Sequence, residues 1–509
     1  MRIQFLLKNT GMYERLGIMT LSSVLKKKGH DVRLNLTEEA GEKKIVERVK
    51  DYKPDVLAYS VMTGEHIYHI ELNQMVKSHY NNAFSVFGGP HPTYCPEMIE
   101  KDGIDAICRG EGEIYFPELV EKLEQGQDFY DIKNFWFKKK DGSIVKNKMG
   151  KLVPELDDNP EPDRKLMYDA DRALRARGTK LFMATRGCPY QCTYCFNHAY
   201  NALTKGTGEM IRTRSVDSMI QEIKEVQKNY FMDRVNIDDD IFLLKPKGWL
   251  EEFAEKYPKE IGLPLYCNIR PELVNEKTGY LLKKMDCQRA AMGIECGNNE
   301  VARKILKRNT TNEKIIDAVR ILKKNNVKVK LHNIIGLPVK DPLKVDFDTL
   351  DFNIKLKPHV AGCSILYPYP GTEVSHLAKE MGMFDGSHEK VQISNKSSSN
   401  INFGSKLEQR KINNFHKLFP IIVEWSFLRP ATNFLIKLPL SYFYTWVYFA
   451  FYGYKYIVQS SLKGALKNII HYIIFYFKYV SRLEKRTKFS TSPEKTDRNT
   501  EKKQKLYMH

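Results

Sequence analysis

The sequence predicts an α/β protein that ends in a helical, aromatic-rich region. Short apolar runs alternate with amphipathic segments over residues 1–125, and the same rhythm resumes over residues 179–385. A proline- and acid-rich stretch, Pro154–Asp163, separates the two arrays and reads as a linker. Beyond residue 386 the alternation stops and aromatic residues crowd in. At 509 residues the chain can hold two or three domains, each with its own core.

The first array opens with strand Ile3–Leu7, an apolar run too short for a signal peptide. An amphipathic helix over Leu16–Lys28 follows and is stopped by Gly29-His30. Strands are then expected at Val32–Leu36, Val56–Ser60, Phe84–Phe87 and Ala106–Cys108. This pattern is that of a doubly wound domain, whose ligand lies beyond the carboxyl ends of the strands. Glycine-bearing loops gather at those ends: Val61–Gly64, Gly88–Thr93 and Gly110–Glu113. Glycines let backbone approach a ligand closely, although each loop alone is also ordinary turn chemistry.

Residues 126–178 read as a connector, with a hairpin over Phe135–Val145 around Asp141-Gly142. In the second array strands are expected at Lys180–Ala184, Arg234–Asp238, Leu265–Asn268, Ala290–Gly293, Val327–Ile335 and His359–Leu366. Helices are expected at Val216–Tyr230, Leu250–Lys256, Asn299–Leu306 and Asn312–Asn325. Residues 386–484 form the helical region, with Ser394–Asn402 as a polar loop. Its apolar stretches, Leu438–Gly453 and Ile469–Val480, are shorter than the roughly 20 residues that span a bilayer. Tyr and Trp beside lysines suit either a segment lying at a membrane surface or a cap packed on the second array. The tail, residues 485–509, is charged and expected to be disordered.

Three cysteines, Cys188, Cys192 and Cys195, share one short loop leaving the strand at Lys180–Ala184. Three thiolates at this spacing can hold three corners of a [4Fe–4S] cube and leave the fourth iron open. Zinc sites favour two separated Cys-x2-Cys pairs, and no second pair occurs. The other six cysteines are scattered without a disulfide framework, which suits a reducing cytosol. The net charge of +19 is compatible with nucleic acid or an anionic membrane surface. No nucleic-acid module is recognised, so nucleic acid is not expected as a partner.

The cysteine motif resembles that of the radical S-adenosylmethionine (SAM) enzymes. That resemblance implies a partial (β/α)6 TIM-type barrel over residues 179–385, with the reacting groups at the carboxyl ends of its strands. It further implies SAM on the open iron, cleaved to a 5′-deoxyadenosyl radical, and a reductase or flavodoxin-type electron donor. The SAM-binding candidates are Tyr194, just before the last cysteine, and Asp239, Asp240, Glu295, Gly336 and Pro338, which stand at matching strand ends. Each has a plainer alternative: a helix cap, a solvated loop acid or a strand-end turn. Arg212 and Arg214 beyond the cluster loop, and the aromatics of Tyr367–Thr372, are open between a site role and surface or packing roles.

Placed before such a core, the first array resembles the Rossmann-like cobalamin-binding domain of cobalamin-dependent radical SAM proteins. Its candidate cobalamin contacts are Asn9, Leu16, Gly17, Ser60, Thr63, Gly64, Gly88, Gly89, Pro90, Thr93, Gly110, Glu111 and Gly112. One departure stands out: the loop Lys8–Glu14 has no histidine where classical cobalamin domains supply a lower cobalt ligand. His91, between two prolines, is set aside as a substitute. Together the resemblances imply a methyltransferase acting on an unactivated carbon of a small-molecule or lipid substrate. An oxidative cyclase or rearrangement enzyme uses the same parts, whereas a non-catalytic cobalamin-binding redox sensor has no need of an open iron. The expected location is the cytoplasm, with peripheral contact to the inner face of the membrane as an open option.

Overall fold

The computed structural model of the chain describes residues 1–38, 40–388 and 399–458. The apolar stretch Ile469–Val480, the tail and most of the loop over residues 394–402 lie outside the described residues.

Strands β1 (Arg2–Leu7), β2 (Asp31–Leu36), β3 (Val56–Ser60), β4 (Phe84–Gly88), β5 (Ala106–Cys108), β6 (Phe135–Lys138) and β7 (Ile144–Lys146) form the first sheet. Their order is β2-β1-β3-β4-β5-β6-β7. Strand β1 shows why the array folds as layers. Phe5 and Leu7 enter one core with Ile18 and Phe116, while Leu6 enters the opposite core with Leu57 and Phe87. A strand buried on both faces needs helices on both sides, which parallel pairing supplies. Because β1 pairs in parallel with both β2 and β3, the strand order reverses there. That switch opens a crevice at the carboxyl ends of β1 and β3.

The hairpin expected within a connector instead extends this sheet, β6 lying antiparallel to β5. Phe135 and Phe137 alternate onto one face and are wholly buried, which draws the hairpin into the first core.

Strand β8 (Thr179–Phe182) is followed by a short antiparallel ribbon of β9 (Thr185–Arg186) and β10 (Arg212–Thr213). Then come β11 (Arg234–Ile237), β12 (Leu265–Ile269), β13 (Cys287–Glu295), β14 (Lys328–Ile335) and β15 (Val360–Ile365). The six main strands lie side by side in chain order, all parallel, as the expected partial (β/α)6 barrel requires. Helix Pro342–Leu356 is an element the sequence pattern left unassigned, although Asp341 caps it and Pro342 opens it.

A helical cap completes the described chain. Helix Lys406–Glu424 lays Ile412, Phe415, Phe419 and Ile422 onto Ala361, Cys363 and Ile365 of β15. An edge strand of the barrel is thereby covered. Helix Ser441–Val458 packs outside it through Tyr444 and Phe451. Among the described residues no helix is long and apolar enough to cross a membrane.

Candidate functional site

The cysteine loop is gripped at both ends. Gly187 takes φ +94°, and a Cβ there would collide with the Met210 carbonyl just ahead of β10. At the far side, Thr193 donates from its amide to Leu306 O (3.2 Å) and from its hydroxyl to Ile305 O (2.7 Å). The Asn201 side chain donates to Cys188 O at 2.8 Å. Cys188 and Cys192 are buried and Cys195 is partly exposed. Burial pushes the Cys195 thiol up to about 11 and raises Cys188 as well, so metal ligation displaces protons there. Among the described residues no three His, Cys, Asp or Glu side chains surround a single ion. Three thiolates from one short loop are the donor set taken by a cube with one open iron.

Two buried arginines stand beside Cys192. Arg270 Nη1 donates to Cys192 Sγ at 3.4 Å, and its guanidinium lies 3.6 Å from the Tyr190 ring centroid. Arg308 Nη1 donates to the Tyr194 hydroxyl at 3.1 Å and lies 3.9 Å from Glu295 Oε1, while Nη2 donates to Gly293 O at 2.5 Å. Glu295 itself holds φ +63°, at the point where the β13–β14 register shifts. Its carboxylate folds back over Gly293, where a Cβ would collide with it. A left-handed non-glycine residue stores backbone strain of the kind found at ligand clamps. Burial raises the Glu295 carboxyl, with Arg308 opposing that shift.

A cavity of about 490 Å³ lies between the two sheets. Leu16, Gly17, Ser60, Gly88, Gly89 and Gly110 line it from the first sheet, and Phe196, Asp238 and Asp240 from the second. The Tyr200 hydroxyl also reaches the cavity, beside Gly110, and has no hydrogen-bond partner among the described residues. A buried hydroxyl left unpaired calls for a polar ligand. Glycine backbone on one wall and an orphaned donor on the other fit a large, flat, acceptor-bearing group.

A model of the B12-binding domain matches residues 6–120, and a model of the Radical SAM superfamily matches residues 183–344. The chain is a B12-binding-domain radical SAM protein. It is 28% identical over 371 residues to an uncharacterized methyltransferase of Pyrococcus horikoshii, covering 71% of this chain and 78% of that protein. Over 372 residues it is 23% identical to the anaerobic magnesium-protoporphyrin IX monomethyl ester cyclase of Rubrivivax gelatinosus, covering 70% and 63%. Its fold is similar to that of OxsB, a cobalamin-dependent SAM radical enzyme solved with aqua-cobalamin and SAM. The TM-score is 0.67 at 15% identity, covering 95% of this chain and 79% of that one.

Most of the residues expected to meet cobalamin line the cavity: Leu16, Gly17, Ser60, Gly88, Gly89, Pro90, Thr93, Gly110, Glu111 and Gly112. Three do not. Asn9 turns its amide to Glu38 (2.7 Å), Thr63 bonds His91 Nδ1 (3.2 Å), and the Gly64 amide donates to His66 Nδ1 (3.3 Å). His91 stacks on His66 with ring centroids 4.0 Å apart, outside the cavity lining, and burial pushes its pKa down to about 3.

The acidic run at the end of β11 splits by strand alternation. Asp238 and Asp240 line the cavity. Asp239, expected beside Asp240 as a SAM contact, is instead wholly buried. It accepts from the Ala184 amide (2.7 Å), the Thr185 amide (2.9 Å) and Lys245 Nζ (2.5 Å). Gly336 and Pro338 also lie away from the cavity lining, as do Tyr194 and Glu295 beside Arg308. Gly336 donates its amide to the buried Asp346 carboxylate (2.9 Å) and sits under the Phe403 ring. Arg212, which the sequence left open, pairs with Glu111 across the domains, and Arg214 pairs with buried Glu222. Tyr369 packs on Phe196 (5.3 Å), which stacks on Tyr94 (4.9 Å), so an aromatic bridge joins the domains next to Cys195. Arg270, Arg308 and Tyr200 carry no sequence signal of their own, because loop arginines and helix tyrosines are common everywhere.

Proposed function

We propose that this chain is a cobalamin-dependent radical SAM methyltransferase acting on an unactivated carbon of a small-molecule or lipid substrate, supplied with electrons by a separate donor. The observation that carries this reading is the single cavity lined by the glycine loops of the B12-binding domain on one wall and by the strand ends beside the cysteine loop on the other. When bound, SAM on the cluster supplies a hydrogen-abstracting radical, and cobalamin supplies the methyl carrier.

The chain's own residues hold and orient these groups. Cys188, Cys192 and Cys195 are the cluster ligands. Arg308 and Arg270 present guanidinium donors beside Cys192, suited to a carboxylate. Glu295 and Asp240 offer carboxylates for an ammonium or ribose hydroxyls. Tyr94, Phe196 and Tyr369 wall off the seam and limit water there. Bringing the two domains onto one cavity supplies proximity. Contact of the C-terminal cap with a membrane belongs to the same reading.

The test is anaerobic purification with iron, sulfide and cobalt analysis, followed by incubation with SAM and reductant. Stoichiometric cobalt and formation of 5′-deoxyadenosine are expected. Absence of cobalt overturns the methylation reading, and absence of 5′-deoxyadenosine from reconstituted protein overturns the radical one. The similarity to a ring-forming cyclase favours a second reading, oxidative ring closure. Product mass separates the two, because only methyl transfer adds a methyl group.

A further inference from the structure

The outer face of the C-terminal cap is aromatic where a cap helix is ordinarily polar. In helix Ser441–Val458, Tyr444, Tyr448 and Phe451 turn inward, as their spacing dictates. Its opposite face should carry charged groups, yet Tyr442 is 79% exposed and Phe443 59% exposed. Phe427 (76%) and Phe434 (65%), from the turn and short helix that precede it, are exposed as well. Large rings this open are costly to leave in water, and several on one region mark an interaction surface.

Charge identifies the occupant. Between Ser405 and Val458 the chain carries seven Lys or Arg against two Glu, and residues 459–509 carry twelve Lys or Arg against four Asp or Glu. Exposed Lys437 stands in sequence between Phe434 and Tyr442. Aromatic rings mixed with cations are the composition of the bilayer–water interface. A second copy of this chain would bring cations against cations, which disfavours self-association.

We propose that this face docks on a bilayer surface carrying anionic headgroups. The Tyr442 end of this face adjoins the carboxyl end of the barrel strands. Asn414 donates to Ile436 O and Leu438 O (both 2.9 Å) and accepts from Ser441 Oγ (2.6 Å), which fixes where the last helix begins. Two residues earlier on the same helix, Ile412 packs against Gly336 at the carboxyl end of β14. Tyr442 and Phe443 therefore stand toward the end of the barrel that holds the cysteine loop. Docking there presents the reaction end to molecules dissolved in the membrane, whichever reaction is catalysed.

Flotation of the full-length protein tests the proposal, using vesicles of phosphatidylcholine alone and of phosphatidylcholine with phosphatidylglycerol in equal parts. The expected result is flotation with the anionic vesicles, loss of most of it at high salt, and at least about a tenfold weaker partition for F427S/F434S/Y442S/F443S. Circular dichroism and iron content of that variant should match the parent, since all four side chains are exposed. Three results overturn the proposal: no flotation of the parent, flotation of the variant equal to the parent (which would place binding in residues 459–509), or a dimer dissociated by the four substitutions. None depends on catalysis, so failure here is distinct from failure of the methyltransferase reading.

Discussion

Glu111 of the B12-binding domain and Arg212 of the radical SAM domain meet through two hydrogen bonds of 2.8 Å, one to each carboxylate oxygen. Arg186 adds a contact to Glu111 at 3.2 Å and one to Glu113 at 2.7 Å, and the Val153 amide donates to Glu111 at 2.9 Å. The wall of the cavity is thus held by a largely buried ion-pair network. Removing one partner strands the other without solvent, so Glu111→Gln should cost about 3–5 kcal/mol in denaturant unfolding. The double substitution E111L/R212M should cost less than Glu111→Gln, because no stranded charge is left at that pair.

The same network predicts a pH response. Burial alone raises the Glu111 carboxyl, but Arg212 and Arg186 outweigh it and hold it below the usual carboxylate range. A depressed folded pKa contributes stability that is complete above the unfolded value, about 4.3, and lost as pH falls through the folded value. Scattering profiles at decreasing pH should therefore show the domains separating below about pH 4. Glu111→Gln should remove that acid step. An acid step of equal size in the variant would assign it to other carboxylates.

Asp239 and Asp240 are adjacent in sequence and opposite in role. Asp239→Asn breaks the buried pair with Lys245 and should lower stability by about 3–5 kcal/mol. Asp240→Asn alters a side chain open to the cavity and should leave unfolding within about 0.5 kcal/mol of the parent. Its effect should fall on SAM cleavage. Parallel measurement of unfolding and of 5′-deoxyadenosine separates the two, and equal destabilisation by both substitutions would deny the division.

How much of this was legible follows from the range of the interactions. Periodicity located the strands of both sheets to within a few residues, because burial on both faces leaves an apolar run whatever the tertiary partner. The cysteine loop was legible because its chemistry needs residues close in sequence. Asp238–Asp240 was visible as an acidic strand end, but which carboxylates face the cavity depends on the register of β11, which no local pattern fixes. The hairpin Phe135–Val145 was seen as a hairpin, while its membership of the first sheet rests on pairing with distant β5. Arg308 lies 116 residues beyond Cys192 and meets it only after three more parallel strands, β11 to β13, are in place.

Gly187→Ala should remove the cluster while leaving the domains folded. An added Cβ collides with backbone at Met210, and the positive φ is strained for alanine in any case. The ribbon of β9 and β10 would yield first, since it is two residues per strand. Iron and sulfide content should drop to that of a Cys188→Ala control, with far-ultraviolet dichroism unchanged. Full iron content in the variant would mean that the loop is not held as described.

Arg308 is the sharpest test of how SAM is bound. Its guanidinium spans the Tyr194 hydroxyl and the Gly293 carbonyl beside Cys192, a two-ended arrangement that the point charge of lysine cannot reproduce. If that fork also takes the ligand carboxylate, Arg308→Lys forfeits charge-assisted hydrogen bonds worth about 1.5–3 kcal/mol, or roughly ten- to hundredfold in Kd for SAM. Cysteine ligation does not pass through the guanidinium, so the reconstituted variant should keep its iron. Arg308→Met should weaken SAM binding further, because charge is lost along with geometry. Calorimetric titration of SAM into cluster-loaded protein reads this directly. An unchanged Kd in both variants would reduce Arg308 to a strut that holds Tyr194 and β13.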